Sequence, residues 1–474
     1  MHDSMLMVII GDMEPVDGTL PCCNGHYYGG QNNSEAAKLI TRTGLQTPSI
    51  AEKSDAISGD SRTTDFDSFS STGKRKMVLH FDVRNTILVS DAATHDNVEH
   101  ALNSFLTGVT WGREEPTGWV WYSDRPSLRA PCPGVITYYK SRERELVRSP
   151  ADRVILRRIT GDFTRQLIGR KFRKYFEAHL RMLEWNVVPS WGSTSNVGYD
   201  EPATTLASSV HNEPTGTKPE VVSVDRKLTI VGANGRLYHY LLPSFVKMLY
   251  DLQAGGYRFS IILRTYGVDA PKVLDSIAHI VAGNHPLFPG KLPIDVNRQP
   301  GRIRRQPGGR IRCELPPTLD GTDTLPPLAI ETDADIYRYM SDVEGICGFV
   351  DDFRYWQEHG YAHSDGKPLW INLDDQDVQH VFFDDNIRVA DAEGIVDVRL
   401  FNGDCASTSG AGCQTRSLSI EEIAPLENVC LVQADLLECT SNMDYFISRV
   451  RQCQTNYSER LQQRRHYHDG DILT

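Results

Sequence analysis

Met77-Val78-Leu79-His80-Phe81 is a nearly continuous apolar run that stops at Asp82. Such a run reads as a strand buried on both faces of a parallel sheet. Asn97 to Leu106 follows with Val98, Ala101, Leu102, Phe105 and Leu106 at helical spacing. Further along, Leu228 to Tyr240 predicts a hairpin turning at Asn234-Gly235. Phe245 to Gln253 predicts a helix stopped by Gly255-Gly256. Tyr257 to Leu263 predicts a strand ending at Arg264-Thr265, and Lys272 to Val281 a helix stopped by Gly283. Ala334 to Gly360 reads as mostly helical. Val378 to Phe383 is a second apolar run, ending at Asp384-Asp385. Ile395 to Phe401 and Val429 to Val432 are later strands, and a terminal helix spans Met443 to Arg464. Strands alternating with helices predict an α/β fold with a doubly wound parallel sheet.

Other segments interrupt this pattern. In residues 1–75 apolar positions are sparse, and 13 of the 33 residues from Thr41 to Gly73 are Ser or Thr. A segment so composed buries too little surface to offset its ordering entropy, so disorder is expected there. Residues 112–219 form a separate inserted region. Val154 to Trp185 predicts one long amphipathic helix within it, with Arg157, Arg158, Arg165, Arg170, Lys171, Arg173 and Lys174 on its polar side. Gly192 to Lys218 predicts a loop. Residues 290–328, rich in Arg, Pro and Gly, predict a flexible insertion. The core is thus expected at 76–111 and 220–450, with a C-terminal helix and tail over 451–474.

Composition narrows the class. The net charge of -12, from 50 basic and 62 acidic residues, disfavours a general nucleic-acid partner. No aromatic residues interleave the arginines between Arg298 and Arg312, as a single-stranded nucleic-acid platform requires. The ten cysteines form no C-x-x-C pair, which predicts reduced thiols rather than a zinc or disulfide framework. No apolar run reaches the ~18 residues of a membrane span. The opening MLMVII is too short for a signal-peptide core. A cytoplasmic protein without a membrane partner is the expectation.

Three polar signals fall at strand ends: Asp82, Thr265 and Asp384-Asp385. In a parallel α/β sheet ligands bind at the carboxyl ends of the strands. No P-loop, G-x-S-x-G or dinucleotide fingerprint is present.

These segments resemble the motifs of the haloacid dehalogenase-like (HAD) superfamily. HFDVRNTIL is similar to the family's first motif, an apolar run followed by D-x-D-G-T. SIILRT is similar to the second, and HVFFDDN to the fourth, which ends in paired acids. The resemblance covers about 76–111 and 220–450, and identifies the chain as a divergent member. It implies a Rossmannoid core with residues 112–219 placed as a cap. It also implies a nucleophilic carboxylate on Asp82, a phosphate contact from Thr265, and Mg²⁺ held by Asp82, the Arg84 carbonyl, Asp384 and Asp385. A family lysine that neutralises the site is assigned to Lys367, with Lys272 as the alternative. Asn85, Thr86 and Arg264 adjoin these positions as candidate substrate contacts.

Arg84 departs from the family pattern, because it stands where an acid protonates the leaving group. Arginine stays protonated at any working pH and cannot exchange that proton. Asn85 replaces a glycine and tolerates left-handed backbone better than most residues. Together these features predict a Mg²⁺-dependent phosphohydrolase or phosphotransferase acting on a small-molecule or protein phosphoester. A catalytically silent binding module is the alternative that Arg84 raises. Metal-free attack at carbon uses the same nucleophile, but the acid pair favours metal chemistry.

Overall fold

The apolar run around Met77 forms the strand Lys76–Asp82, and every one of its residues is buried. The computed structural model describes residues 75–90, 97–185, 225–317, 328–388, 394–401 and 415–470. The disorder expected before residue 75 and the loop at 192–218 lie outside the described residues.

Lys76–Asp82 sits inside an eight-stranded sheet. Across that sheet the order is Ala329–Ile330, Ile311–Glu314, Gly301–Arg305, Gly345–Val350, Phe259–Thr265, Lys76–Asp82, Val378–Asp384 and Leu431–Gln433. The last six strands of this order pair in parallel throughout. Ile311–Glu314 runs antiparallel to both of its neighbours. The architecture is therefore mixed α/β around a mostly parallel sheet.

Alternation along the strands divides the core in two. Met77, Leu79 and Phe81 share one apolar cluster with Val381 and Phe383. Helices Val98–Gly108, Pro243–Ala254 and Ala270–His279 and the first turns of Tyr445–Gly470 cover this face. Val78, Ile262 and Phe349 point the other way, onto Ile336 and Met340 of helix Asp333–Asp342. The rest of that face carries a second, three-stranded sheet of Lys367–Ile371, Val396–Phe401 and Thr415–Ser417. The two faces are therefore covered differently, one by helices and the other by a helix and a sheet.

Three expectations need correction. Gly345–Val350 lies in the middle of the sheet, not inside a helical stretch. Gly345 ends the preceding helical segment at φ +72, and a Cβ there would lie 2.3 Å from the Asp295 carbonyl oxygen. Only glycine meets both demands. The supposedly flexible 290–328 contributes the strands Gly301–Arg305 and Ile311–Glu314. Their two-residue alternation puts Gly301, Ile303, Arg305, Ile311 and Cys313 inside, with arginines between. The single helix over 154–185 is two, Arg153–Gly161 and Arg173–Met182, separated by short 3-10 turns. Asn103 Oδ1 accepts from both Thr164 N (2.9 Å) and Thr164 Oγ1 (2.7 Å), which draws the intervening chain out of helical register.

The described part of the inserted region begins with an antiparallel sheet of Trp111–Glu115, Gly118–Trp121 and Ile136–Thr137. Its Tyr138, Phe163, Phe172 and Tyr175 belong to the same apolar cluster as Phe81. No helix among the described residues is long and apolar enough to cross a membrane. None of the six described cysteines is in a disulfide, and five are buried.

Candidate active site

Lys76–Asp82 and Val378–Asp384 are parallel neighbours with Phe81 opposite Phe383, so their terminal carboxylates emerge side by side. Carboxylate oxygens of Asp82, Asp384 and Asp385 lie within 4.8 Å of one another, and all three residues are buried. Lys367 enters from the second sheet. Its Nζ donates to Asp82 Oδ1 at 2.5 Å and to Asp384 Oδ2 at 2.8 Å. The ammonium is also 5.1 Å from the centre of the Tyr266 ring. Lys272, the alternative, instead lies 4.4 Å over the Tyr240 ring.

The loop after Asp82 is tightly wound. Ile87 N and Leu88 N both donate to Val83 O, and Asn85 N donates to Leu88 O. Asn85 takes φ +56, the left-handed conformation for which its residue type is suited. From there Asn85 Nδ2 donates to Asp385 Oδ2 at 3.3 Å. Asn386, not anticipated, donates from its backbone N to Asp384 Oδ1 at 2.8 Å and from Nδ2 to Asp385 Oδ1 at 3.1 Å. The Thr86 hydroxyl is fully buried with no hydrogen-bond partner among the described residues.

Thr265 ends the strand on the other side of Lys76–Asp82. Its Oγ1 accepts from Gly267 N at 2.9 Å, which leaves the hydroxyl proton for a further acceptor. The side chain of Arg264, a candidate substrate contact, is held by protein groups. Its fully buried guanidinium donates from Nε and Nη2 to Asp351 at 2.9 and 2.6 Å, and from Nη1 to Pro368 O at 2.9 Å. Arg84 is buried, and its charge acts on the buried Tyr139 hydroxyl of the inserted region. The ion partner of Asp82 is Lys367.

Burial dominates the electrostatics. It pushes Asp82 up to about 7, against the pull of Lys367 and with the push of Asp384. Burial, Asp384 and Asp82 together hold Asp385 well above the ordinary carboxylate range. Burial works against the charge on Lys367, but Asp384 and Asp82 outweigh it and raise its pKa. A cleft lined by Phe105, Val109, Leu128, Asn386 and Gln433 opens beside Asp385. Leu128 brings the inserted region to its edge.

Asp351 escaped the sequence reading, although it too is an acid directly after an apolar strand. Its strand, Gly345–Val350, is broken by two glycines and a cysteine, so no continuous apolar run announces the acid. No family model, curated protein or solved structure matches the chain.

Proposed function

We propose that this chain is a Mg²⁺-dependent phosphohydrolase or phosphotransferase of the haloacid dehalogenase-like kind, with Asp82 as its nucleophile. The observation that carries this reading is the cluster of three buried carboxylates at the ends of adjacent parallel strands, met by one lysine from the second sheet. One ammonium against three buried carboxylates leaves the cluster short of positive charge, which is why Asp82 and Asp385 hold their protons more tightly than ordinary carboxylates. A hard divalent cation with oxygen ligands supplies that charge. Asp82, Asp384, Asp385 and the Arg84 carbonyl would hold that ion. When bound, Mg²⁺ would offset the charge of the phosphoryl oxygens as they approach the carboxylates.

The chain's own residues carry the remaining chemistry. An Asp82 carboxylate oxygen attacks phosphorus, and the bond from phosphorus to the leaving oxygen breaks with its electron pair on that oxygen. Water, or an acceptor hydroxyl, then takes the phosphoryl group and returns the free carboxylate. Lys367 favours the ionised nucleophile, and Thr265 offers its hydroxyl proton to a phosphoryl oxygen. Arg84 has no proton to give. Leaving groups that depart unprotonated, such as aryl or acyl phosphates, are therefore the better substrates.

Hydrolysis of para-nitrophenyl phosphate by the purified chain tests this, with Mg²⁺, with chelator, and in Asp82→Asn. Turnover is expected only with both Mg²⁺ and Asp82. Turnover that survives Asp82→Asn overturns the mechanism. No turnover on any aryl or acyl phosphate favours a silent module that binds phosphate without cleaving it, the reading that Arg84 supports.

A further inference from the structure

Lys367–Ile371 is the outer strand of the small sheet, with Val396–Phe401 as its one strand neighbour. Lys367 N donates to Ile395 O on that side at 2.8 Å. Alternate residues of a strand turn their backbone groups to opposite edges. Gly366 and Pro368 therefore present their carbonyls to the open edge, and Pro368 has no N–H to leave unmet there. Two buried arginines of the central sheet meet those carbonyls. Arg305 Nη2 donates to Gly366 O at 2.6 Å, and Arg264 Nη1 to Pro368 O at 2.9 Å. Each arginine is fixed in turn by a buried acid, Arg264 by Asp351 and Arg305 by Asp397 at 2.7 Å.

We propose that Arg264 and Arg305 are positioning residues that clamp the carbonyls on either side of Lys367 and so hold its ammonium between Asp82 and Asp384. This rests on the reading of Asp82 and Lys367 as the reacting pair. A buried ion pair is a poor source of net stability, since apolar replacements are often neutral or better. What an apolar pair cannot do is aim a donor at a particular carbonyl. Gly366 adds a third restraint, because a Cβ there would lie 2.1 Å from Ile395 O. The peptide leading into Lys367 is thus held from both edges of its strand. Such restraint matters because a misplacement of about 1 Å can cost on the order of 100-fold in rate.

The test uses Arg264→Lys and Arg305→Lys, each alone and with Lys367→Met. Lysine keeps the charge facing the acid but loses the fork that reaches the carbonyl. Each single variant is expected to lower kcat about 10- to 100-fold, with no further loss in the Lys367→Met background. An equal fractional loss in both backgrounds overturns the proposal. A second readout does not depend on turnover: amine acylation of the intact chain, followed by mass spectrometry. Lys367 should label at least about tenfold faster in each clamp variant. The buried Lys76, in the central sheet that carries both arginines, should stay at its wild-type rate. Unchanged Lys367 labelling, or equal acceleration at Lys76, overturns the clamp. Gly366→Ala leaves both ion pairs in place and displaces the same peptide, so it should reproduce the Lys367 signature if an arginine variant fails to fold. If the wild-type chain turns over no substrate, the catalytic reading falls and the labelling alone decides the clamp.

Discussion

Lys367 reaches Asp82 across 285 positions of chain, with its ammonium 2.5 Å from the carboxylate it neutralises. The two come from different sheets, so their contact joins the two layers as well as the site. Lys367→Met is expected to lower phosphatase activity about 10²–10⁴-fold, to a residual but measurable rate, and to destabilise the fold by about 3–5 kcal/mol at neutral pH, because buried carboxylates lose their partner. An acid whose folded pKa is raised destabilises the charged fold at high pH and is relieved as pH falls through that pKa. The deficit should therefore shrink as pH drops below 7. Denaturant titrations of both proteins at pH 5.5 and 8 check this, and a deficit that grows in acid contradicts it.

The carboxylate cluster makes a prediction that needs no substrate. A ligand that binds only the folded chain raises stability by about 2.7 kcal/mol at 100 times its dissociation constant. Saturating Mg²⁺ should raise the thermal midpoint, and chelator should remove the shift. In Asp384→Asn the Mg²⁺ response should be lost or sharply reduced. An undiminished response in that variant would place the ion elsewhere.

How much of this was readable beforehand depended on burial. Lys76–Asp82 and Val378–Asp384 lie at the centre of the sheet and are buried nearly throughout, so their apolar runs are unbroken and their terminal acids stand out. Gly345–Val350 is equally central, but its sequence GICGFV is half glycine and cysteine and follows a helix directly. Such a segment reads as helix, which conceals Asp351 and with it the acid that pairs with Arg264. In 290–328 the abundance of Arg, Pro and Gly masks the apolar alternation of Gly301–Arg305 and Ile311–Glu314. Lys367 could be proposed but not separated from Lys272, since nothing local records that a second sheet folds over Asp82. The roles of Arg264 and Arg305 are wholly tertiary, because each acts on a carbonyl roughly a hundred or sixty residues away.

Arg84 sets up a test of leaving-group dependence. Without a proton donor, the rate should fall steeply as the leaving group becomes more basic. Arg84→Asp restores an acid at that position. The variant should gain on alkyl phosphates by about 10²–10⁴-fold, the usual worth of general acid catalysis, and gain little on para-nitrophenyl phosphate. Rates across a series of substituted phenyl and alkyl phosphates measure this. A variant that loses equally on all of them would mean that Arg84 serves the substrate directly.

His239 and His285 give a pH dependence distant from the carboxylates. Their rings stack at 5.7 Å with 16° between planes, and Trp185 lies 4.8 Å from His239. Neither ring nitrogen of His239 has a hydrogen-bond partner among the described residues. Burial, and for His239 also the neighbouring His285, lowers the pair to about 3 and about 4. The unfolded chain takes up these protons near pH ~6.5, so between there and the folded values it binds more protons than the fold does. Stability from this pair is complete above pH ~6.5 and is lost as pH falls toward 4. Each histidine contributes a slope of at most about 1.4 kcal/mol per pH unit. His239→Phe keeps the stacking and removes one titration. Its stability relative to wild type should therefore rise steadily from pH 7 to pH 4.5 and stay flat from pH 7 to 8. Guanidinium unfolding of the two proteins across that range measures the difference, and a difference independent of pH would mean that His239 is readily protonated in the fold.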